Sequence, residues 1–281
     1  MQSCPYNPVQ MPELPEVETT RRGLVPRVVG RTIQDVVVRD ARLRWPVPRD
    51  LARHLRGAEV VAIRRRGKYL LFDFPKGHML VHLGMSGRLT MVPEDRPAKL
   101  HDHVDVRLDS HESLRLNDPR RFGAVLWIGG AAEKHALLRG LGVEPFDTAF
   151  TGEYLHALAR GRRVAVKQFI MNGRVVTGVG NIYASEALFR AGIHPARPVG
   201  RISLERWNVL AQAIRETLSR ALDAGGSTLR DYVSATGEPG QFQNITSVYD
   251  REGEPCRRCS RPIKALRQGQ RSTFYCAGCQ R

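Results

Sequence analysis

The sequence predicts an α+β chain built in several parts, and three patterns carry that prediction. Residues 31–128 fall into short, closely spaced runs of β-branched and aromatic residues. From residue 151 the apolar period lengthens to that of helices. Residues 256–281 hold four of the five cysteines, in two Cys-x2-Cys pairs. Strands followed by helices in blocks is the order of an α+β protein rather than an alternating one.

Residues 1–11 (MQSCPYNPVQM) have no period and read as a tail, expected to be a leader or a misassigned start before Met11. From Pro15 the run PEVETTRRGLVPRVVG reads as a helix. Pro15 suits a first turn, Glu16 and Glu18 complement the positive helix end, and Gly30 closes it, with Pro26 a candidate earlier break. Eight strand-like runs follow: TIQDVVVRD, EVVAIRRRG, KYLLFDF, HMLVHLG, RLTMVP, HVDVRLD, SLRLND and AVLWIGG. Gly, Pro, Asp and Asn punctuate them, which suggests a sandwich or a barrel. The expected division is residues 12–135 for the strand-rich domain, 136–150 for a linker, 151–248 for a helical domain and 249–281 for the cysteine module. In the helical part, Trp207, Leu210, Ala211, Ile214, Leu218 and Leu222 recur near helical spacing.

The formal net charge is +16, from 44 Lys+Arg against 28 Asp+Glu. Such a field attracts polyanions, with nucleic acid first, an anionic membrane surface second and plain solubility as the neutral explanation. No stretch approaches the roughly 18 apolar residues of a membrane span, and residues 1–11 lack the basic start and apolar core of a secretory signal. Clustered rather than dispersed cysteines point to a reducing compartment, so a cytoplasmic, nucleoid-associated protein is expected.

Cys256-x2-Cys259-x16-Cys276-x2-Cys279 is the most specific local signal. Two knuckles of paired thiolates close a tetrahedral shell around one Zn2+, which is structural because no position stays open. Two disulfides or four free thiols are the alternatives. PIKAL and STFYC are expected to pair as a hairpin with RQGQR, hence Arg267 and Arg271, at its tip.

Gly178-Val179-Gly180-Asn181 precedes a helical run. It reads either as a phosphate-binding turn capped by Asn181 or as an ordinary joint between helices. Pro12-Glu13-Leu14-Pro15-Glu16 likewise has two readings. It is a capped helix start with surface acids, or, if Pro12 is the first residue, a nucleophile. A free N-terminal proline is a secondary amine titrating near ~8. Its attack on a sugar C1′ gives an iminium that has no N–H to lose and so stays cationic. That cation acidifies the C2′ hydrogen, and Glu13 is placed to shuttle protons.

The motifs PELPEVETTRRGL, RRRGKYLLF, HLGMSGRL, NDPRRFGAVLW and GVGNIYASEALFRAGIHP, with the cysteine quartet in order after them, resemble the formamidopyrimidine-DNA glycosylase branch of the Fpg/Nei family across residues 12–281. The resemblance implies an N-terminal β-sandwich carrying the nucleophile helix, a helix–two-turn–helix domain and a C-terminal zinc hairpin. It implies Pro12 as nucleophile, Glu13 as its acid partner, Glu16 as a second glutamate of that motif, and Lys68 at the DNA phosphate. Taken alone, Lys68 is equally a solvated strand-end lysine. Met85, Arg120 and Phe122 match residues that fill the gap left by an extruded nucleotide; by apolar character alone, Met85 and Phe122 would be core. Lys167, Asn181 and Arg271 match phosphate contacts, and residues 226–242 match a loop closing over the lesion.

The expected activity is excision of oxidised purines from double-stranded DNA by a monomer, followed by β,δ-elimination. It depends on a free Pro12 nitrogen, and ten residues precede Met11. A Nei-like enzyme for oxidised pyrimidines and a non-enzymatic zinc DNA-binding protein are the rival readings.

Overall fold

The computed structural model describes residues 12–226 and 242–281. The expected leader and nearly all of the expected lesion-closing loop lie outside the described residues. Helix α1 spans Leu14–Val28. Its start is a reciprocal capping box: the Glu16 carboxylate accepts the Glu13 N–H at 2.9 Å, and the Glu13 side chain faces the third helical residue. Pro26 lies inside the helix without ending it, because near the C-terminal end its missing donor costs a single bond. The Val29 N–H still returns to the Val25 carbonyl at 3.2 Å.

All eight expected strands form, with one short helix between the first two. They are β1 Ile33–Val38, β2 Ala62–Arg66, β3 Tyr69–Phe74, β4 Gly77–His82, β5 Arg88–Pro93, β6 Asp102–Leu108, β7 Glu112–Asn117 and β8 Ala124–Ile128, with α2 at Leu51–Leu55. They pair antiparallel in two sheets, ordered β1-β6-β7-β5 and β2-β3-β4-β8. The sheet never closes on itself, so the architecture is a sandwich and not a barrel. Ile33, Val106 and Leu116 of one sheet share a core with Leu70, Phe72 and Met79 of the other, and Val17, Leu24 and Val28 of α1 plug it. Each such side chain contributes about 1.5–3 kcal/mol by leaving water.

The helical part comprises α3 Gly152–Ala159, α4 Val166–Ile170, α5 Asn181–Arg190 and α6 Leu204–Asp223. Thr151 and Ser203 cap α3 and α6 by accepting the Tyr154 and Arg206 N–H groups at 3.1 and 3.4 Å. Trp207, Leu210, Ala211, Ile214 and Leu218 bury along one face of α6, whereas Leu222 is only half-buried and Ala221 takes the inward place. The expected hairpin is β9 Lys264–Gln268 with β10 Arg271–Tyr275. Gly269 and Gln270, both at positive φ (52° and 64°), make its two-residue turn. Ile263, Phe274 and Cys276 join the core of the helices, so the hairpin is a wall of that unit and not an appendage.

One helix belongs to both cores. Leu14 packs with the helical core and Val17, three residues on, with the sandwich core. A second tie is Glu144, in the segment between the two parts. Its carboxylate accepts from Arg65 Nη1 at 2.8 Å, Arg66 Nη1 at 3.0 Å and the Gly67 N–H at 2.6 Å. That grip holds the β2–β3 turn directly before Lys68.

Candidate active site and DNA-binding cleft

Between the sandwich and the helices lies a cleft of about 730 Å³. Seven of the expected site residues line it: Glu13, Lys68, Met85, Arg120, Phe122, Asn181 and Arg271. They come from six separate stretches of chain, which composition and periodicity could not have joined.

Glu13 is the best-defined member. Pro12 beside it is buried, and the Glu13 side chain is 3% exposed. Its Oε1 accepts the Ile182 N–H at 3.2 Å, while Oε2 is buried with no partner among the described residues. Burial drives its pKa up from the ordinary carboxylate range to about 7; the Lys68 ammonium opposes the rise and Glu16 adds to it. Lys68 is pushed down from its usual range by the same enclosure, with Glu13 opposing and Arg271 adding. Glu16 is fully buried behind them, accepting the Tyr183 hydroxyl at 2.5 Å.

The glycine turn explains this placement. The first N–H groups of α5 do face an anion, and the anion is Glu13 itself. A Cβ on Gly180 would lie 2.1 Å from Glu13 Cδ, and one on Gly178, at φ +87°, would lie 2.7 Å from Leu14. The glycines are therefore the seat of the Pro-Glu-Leu head, closed by the Leu14 N–H donating to the Gly178 carbonyl at 3.1 Å. Asn181 is not the cap expected of it. Gly180 holds that position, and Asn181 begins the helix. Its amide donates to the Ser272 carbonyl at 3.1 Å and the Tyr249 hydroxyl at 3.3 Å.

Lys167 is 1% exposed and does not line the cleft. Its ammonium donates to Thr273 Oγ1 at 2.8 Å and to the Ser272 carbonyl at 3.2 Å. Burial lowers its pKa to about 7, with Glu13 opposing and Arg271 adding. With Asn181 it grips the strand that begins at Arg271, and Arg271 is what reaches the cleft.

Met85, Arg120 and Phe122 are not core. Phe122 is 40% exposed, and the Arg120 guanidinium lies 4.9 Å over its ring. Sequence reasoning passed over His82, Arg44 and Tyr249, which also line the cleft. The His82 Nδ1 accepts the Gly84 N–H at 3.0 Å, which leaves Nε2 as the protonated nitrogen. Burial, then Lys68 and Arg44, pull its pKa to about 4, so the ring is neutral. The sequence clue was there, since His82 opens the HLGMSGRL motif.

The four cysteines meet as their spacing requires. Their Sγ atoms all lie within 4.8 Å of one another, with Cys256–Cys279 at 3.9 Å and Cys259–Cys276 at 3.4 Å. A tetrahedral zinc with bonds near 2.3 Å spaces its sulfurs about 3.8 Å apart, so the set fits one structural Zn2+.

A two-sheet sandwich, a helical half and a cysteine hairpin close around a buried carboxylate at the head of the first helix. Family models match in chain order: the formamidopyrimidine-DNA glycosylase N-terminal domain over residues 11–125, its H2TH domain over 141–233, and the zinc finger found in FPG and IleRS over 253–281. A formamidopyrimidine-DNA glycosylase of Methylococcus capsulatus is 57% identical over 271 residues, covering 96% of this chain and all of the relative. One from Bordetella pertussis is 58% identical over 275 residues. Among solved structures, the MutM (FPG) protein of Thermus thermophilus superposes with TM-score 0.86 at 38% identity, covering 96% of this chain and 98% of that one. A Lactococcus lactis FPG mutant bound to Fapy-dG-containing DNA gives 0.89 at 32% identity, covering 96% and 99%. The chain belongs to the formamidopyrimidine-DNA glycosylase family.

Proposed function

We propose that this chain excises oxidised purines, 8-oxoguanine and formamidopyrimidines among them, and then cleaves the strand at the resulting site. The observation that carries the reading is the buried Glu13 carboxyl, with one oxygen unpartnered among the described residues, sharing a cleft wall with Lys68 and following Pro12 directly in the chain. In the active form Pro12 is the first residue. Its secondary amine attacks C1′, the glycosidic bond breaks, and the base departs with the amine's proton; the C1′–O4′ bond then opens, O4′ taking a proton from Glu13, as the nitrogen lone pair forms the C1′ iminium. The iminium then releases the C2′ hydrogen as the C3′–O bond breaks. Loss of the 5′ phosphate by a second elimination leaves a one-nucleotide gap with phosphate at both ends.

Glu13 suits the proton work because a carboxyl with a pKa near 7 is held in both forms at neutral pH. Lys68 and Arg271 supply positive charge where the phosphodiester lies. Met85, Arg120 and Phe122 fill the space of the extruded nucleotide, with Arg120 pairing the widowed cytosine. Arg271 holds phosphate, while Lys167 and Asn181 support the strand that presents it. Zinc supplies no chemistry; it fixes the hairpin. The working form is a monomer acting on double-stranded nucleoid DNA in the cytoplasm.

Borohydride trapping on duplexes containing 8-oxoguanine or thymine glycol, with chains starting at Met1 and at Pro12, tests this. The expected result is a covalent adduct with the 8-oxoguanine duplex for the chain starting at Pro12, and none when the proline nitrogen is an amide. No adduct from the Pro12 chain on either duplex would leave only a zinc-stabilised DNA binder. A thymine-glycol preference would move the substrate to pyrimidines.

A further inference from the structure

The three residues proposed to fill the extruded nucleotide's place sit on two loops far apart in sequence. Residues 83–87 join β4 to β5, and residues 118–123 join β7 to β8. β4 pairs with β8 in one sheet, and β5 with β7 in the other. The pairs His82↔Ala124 and Arg88↔Asn117 mark the strand ends. Both loops therefore cross the same end of the sandwich, side by side.

A buried polar joint fastens them. Asp118 is 0% exposed, and its Oδ1 accepts the Ser86 hydroxyl at 2.9 Å. Its Oδ2 accepts the Gly123 N–H at 2.7 Å. Ser86 in turn accepts the Arg120 N–H at 3.3 Å. The Asp118 carbonyl meets His103 Nε2 at 2.9 Å, and its N–H donates to the His101 carbonyl at 3.0 Å, which anchors the carboxylate to the sheet. The loops also touch backbone to backbone. Gly84 is at φ +65°, and a Cβ there would lie 2.4 Å from the Phe122 carbonyl carbon. Met85, Arg120 and Phe122 turn from this joint to the cleft.

A solvated turn would not need a buried carboxylate. Left unpaired, such a group costs several kcal/mol, so its partners are held firmly. We propose that Asp118 and Ser86 are positioning residues that register Met85 against the Arg120–Phe122 pair, making one preassembled wedge and setting the enzyme's preference for the base opposite the lesion. The inference rests on the void-filling reading above and adds the device that keeps the wedge in register. The two loops carry no proton to the reaction, so chemistry that needs no wedge is independent of the joint.

The test uses Ser86→Ala and Asp118→Asn in the chain starting at Pro12, with Arg120→Ala as reference. Three quantities are read: single-turnover excision of 8-oxoguanine opposite cytosine and opposite adenine, cleavage of an abasic site in a single strand, and the thermal midpoint. Ser86→Ala removes one oxygen, and Asp118→Asn keeps a carbonyl acceptor for Gly123, so both variants are mild. Misplacing the wedge by about 1 Å should slow excision opposite cytosine by at least about tenfold in Ser86→Ala. The cytosine-over-adenine ratio should fall toward that of Arg120→Ala, with Asp118→Asn between. Single-strand cleavage should stay within about twofold of the parent on the same scale. An unchanged ratio in both variants, with Arg120→Ala losing it, overturns the joint alone. An unchanged ratio in Arg120→Ala overturns the void-filling reading and this inference with it. A parallel fall in single-strand cleavage assigns the joint a merely structural role and also overturns the inference.

Discussion

Replacing Gly180 by alanine should disable the catalytic head while leaving the fold in place. The backbone there is extended, at φ −122° and ψ −158°, which alanine adopts without strain, so the substitution is a test of space alone. The added Cβ would stand 2.1 Å from Glu13 Cδ, with the two carboxylate oxygens at 2.2 and 2.5 Å. An ordinary contact is about 3.4 Å, so the carboxyl must retreat by 3.4 − 2.1, about 1.3 Å. Overpacking of this kind costs about 1–3 kcal/mol of stability, and a catalytic group moved by about 1 Å loses roughly 100-fold in rate. The assay is the single-turnover rate of borohydride-trappable adduct formation, read beside the thermal midpoint. Gly140→Ala is the control, because nothing lies within 4 Å of its Cβ position. Gly180→Ala within about threefold of the parent rate would refute the claim that this glycine exists to seat Glu13.

Other outcomes follow from the same contacts. Lys167 has a folded pKa near 7 against 10.5 unfolded, so between pH 7 and 9 the unfolded chain holds a proton that the folded one lacks. Stability from this group should therefore rise by roughly 2–3 kcal/mol over that interval and level off below pH 7, where both states hold the proton; Lys167→Met should flatten the rise in urea titrations at the two pH values. Glu144→Gln weakens acceptance from two guanidinium groups and should cost about 1–3 kcal/mol in denaturant unfolding, with slower trapping because Lys68 follows the released turn. Chelation should release one zinc per chain and loosen Arg271 with the hairpin. DNA affinity measured by anisotropy should then drop and lose some of its salt dependence, since one fewer phosphate contact remains.

Local pattern made much of this protein legible. Strand period and turn residues located β1 to β8, and two cysteine pairs predicted the hairpin, because both signals act over a few residues. The sequence left sandwich and barrel open, since which strands pair is decided by contacts across tens of residues. The enclosure of Lys167 is likewise not local, since it arises from the packing of Thr273 and Ser272, more than a hundred positions on, against α4. The Gly178–Asn181 turn reads locally as a seat for an outside anion or as a plain joint between helices; the occupant comes from 165 positions earlier, at Glu13, which no local window reveals. Met85 and Phe122 looked like core by hydrophobicity, and it is their loops, not their chemistry, that turn them to the cleft.

The sharing of α1 between two cores has a mechanical consequence. Leu14 is anchored in one half of the molecule and Val17 in the other, so any rocking of the halves must turn about the short stretch between them. Points near an axle travel least. Glu13, at that stretch, would shift least in such a rotation, and the far rims of the cleft would shift most.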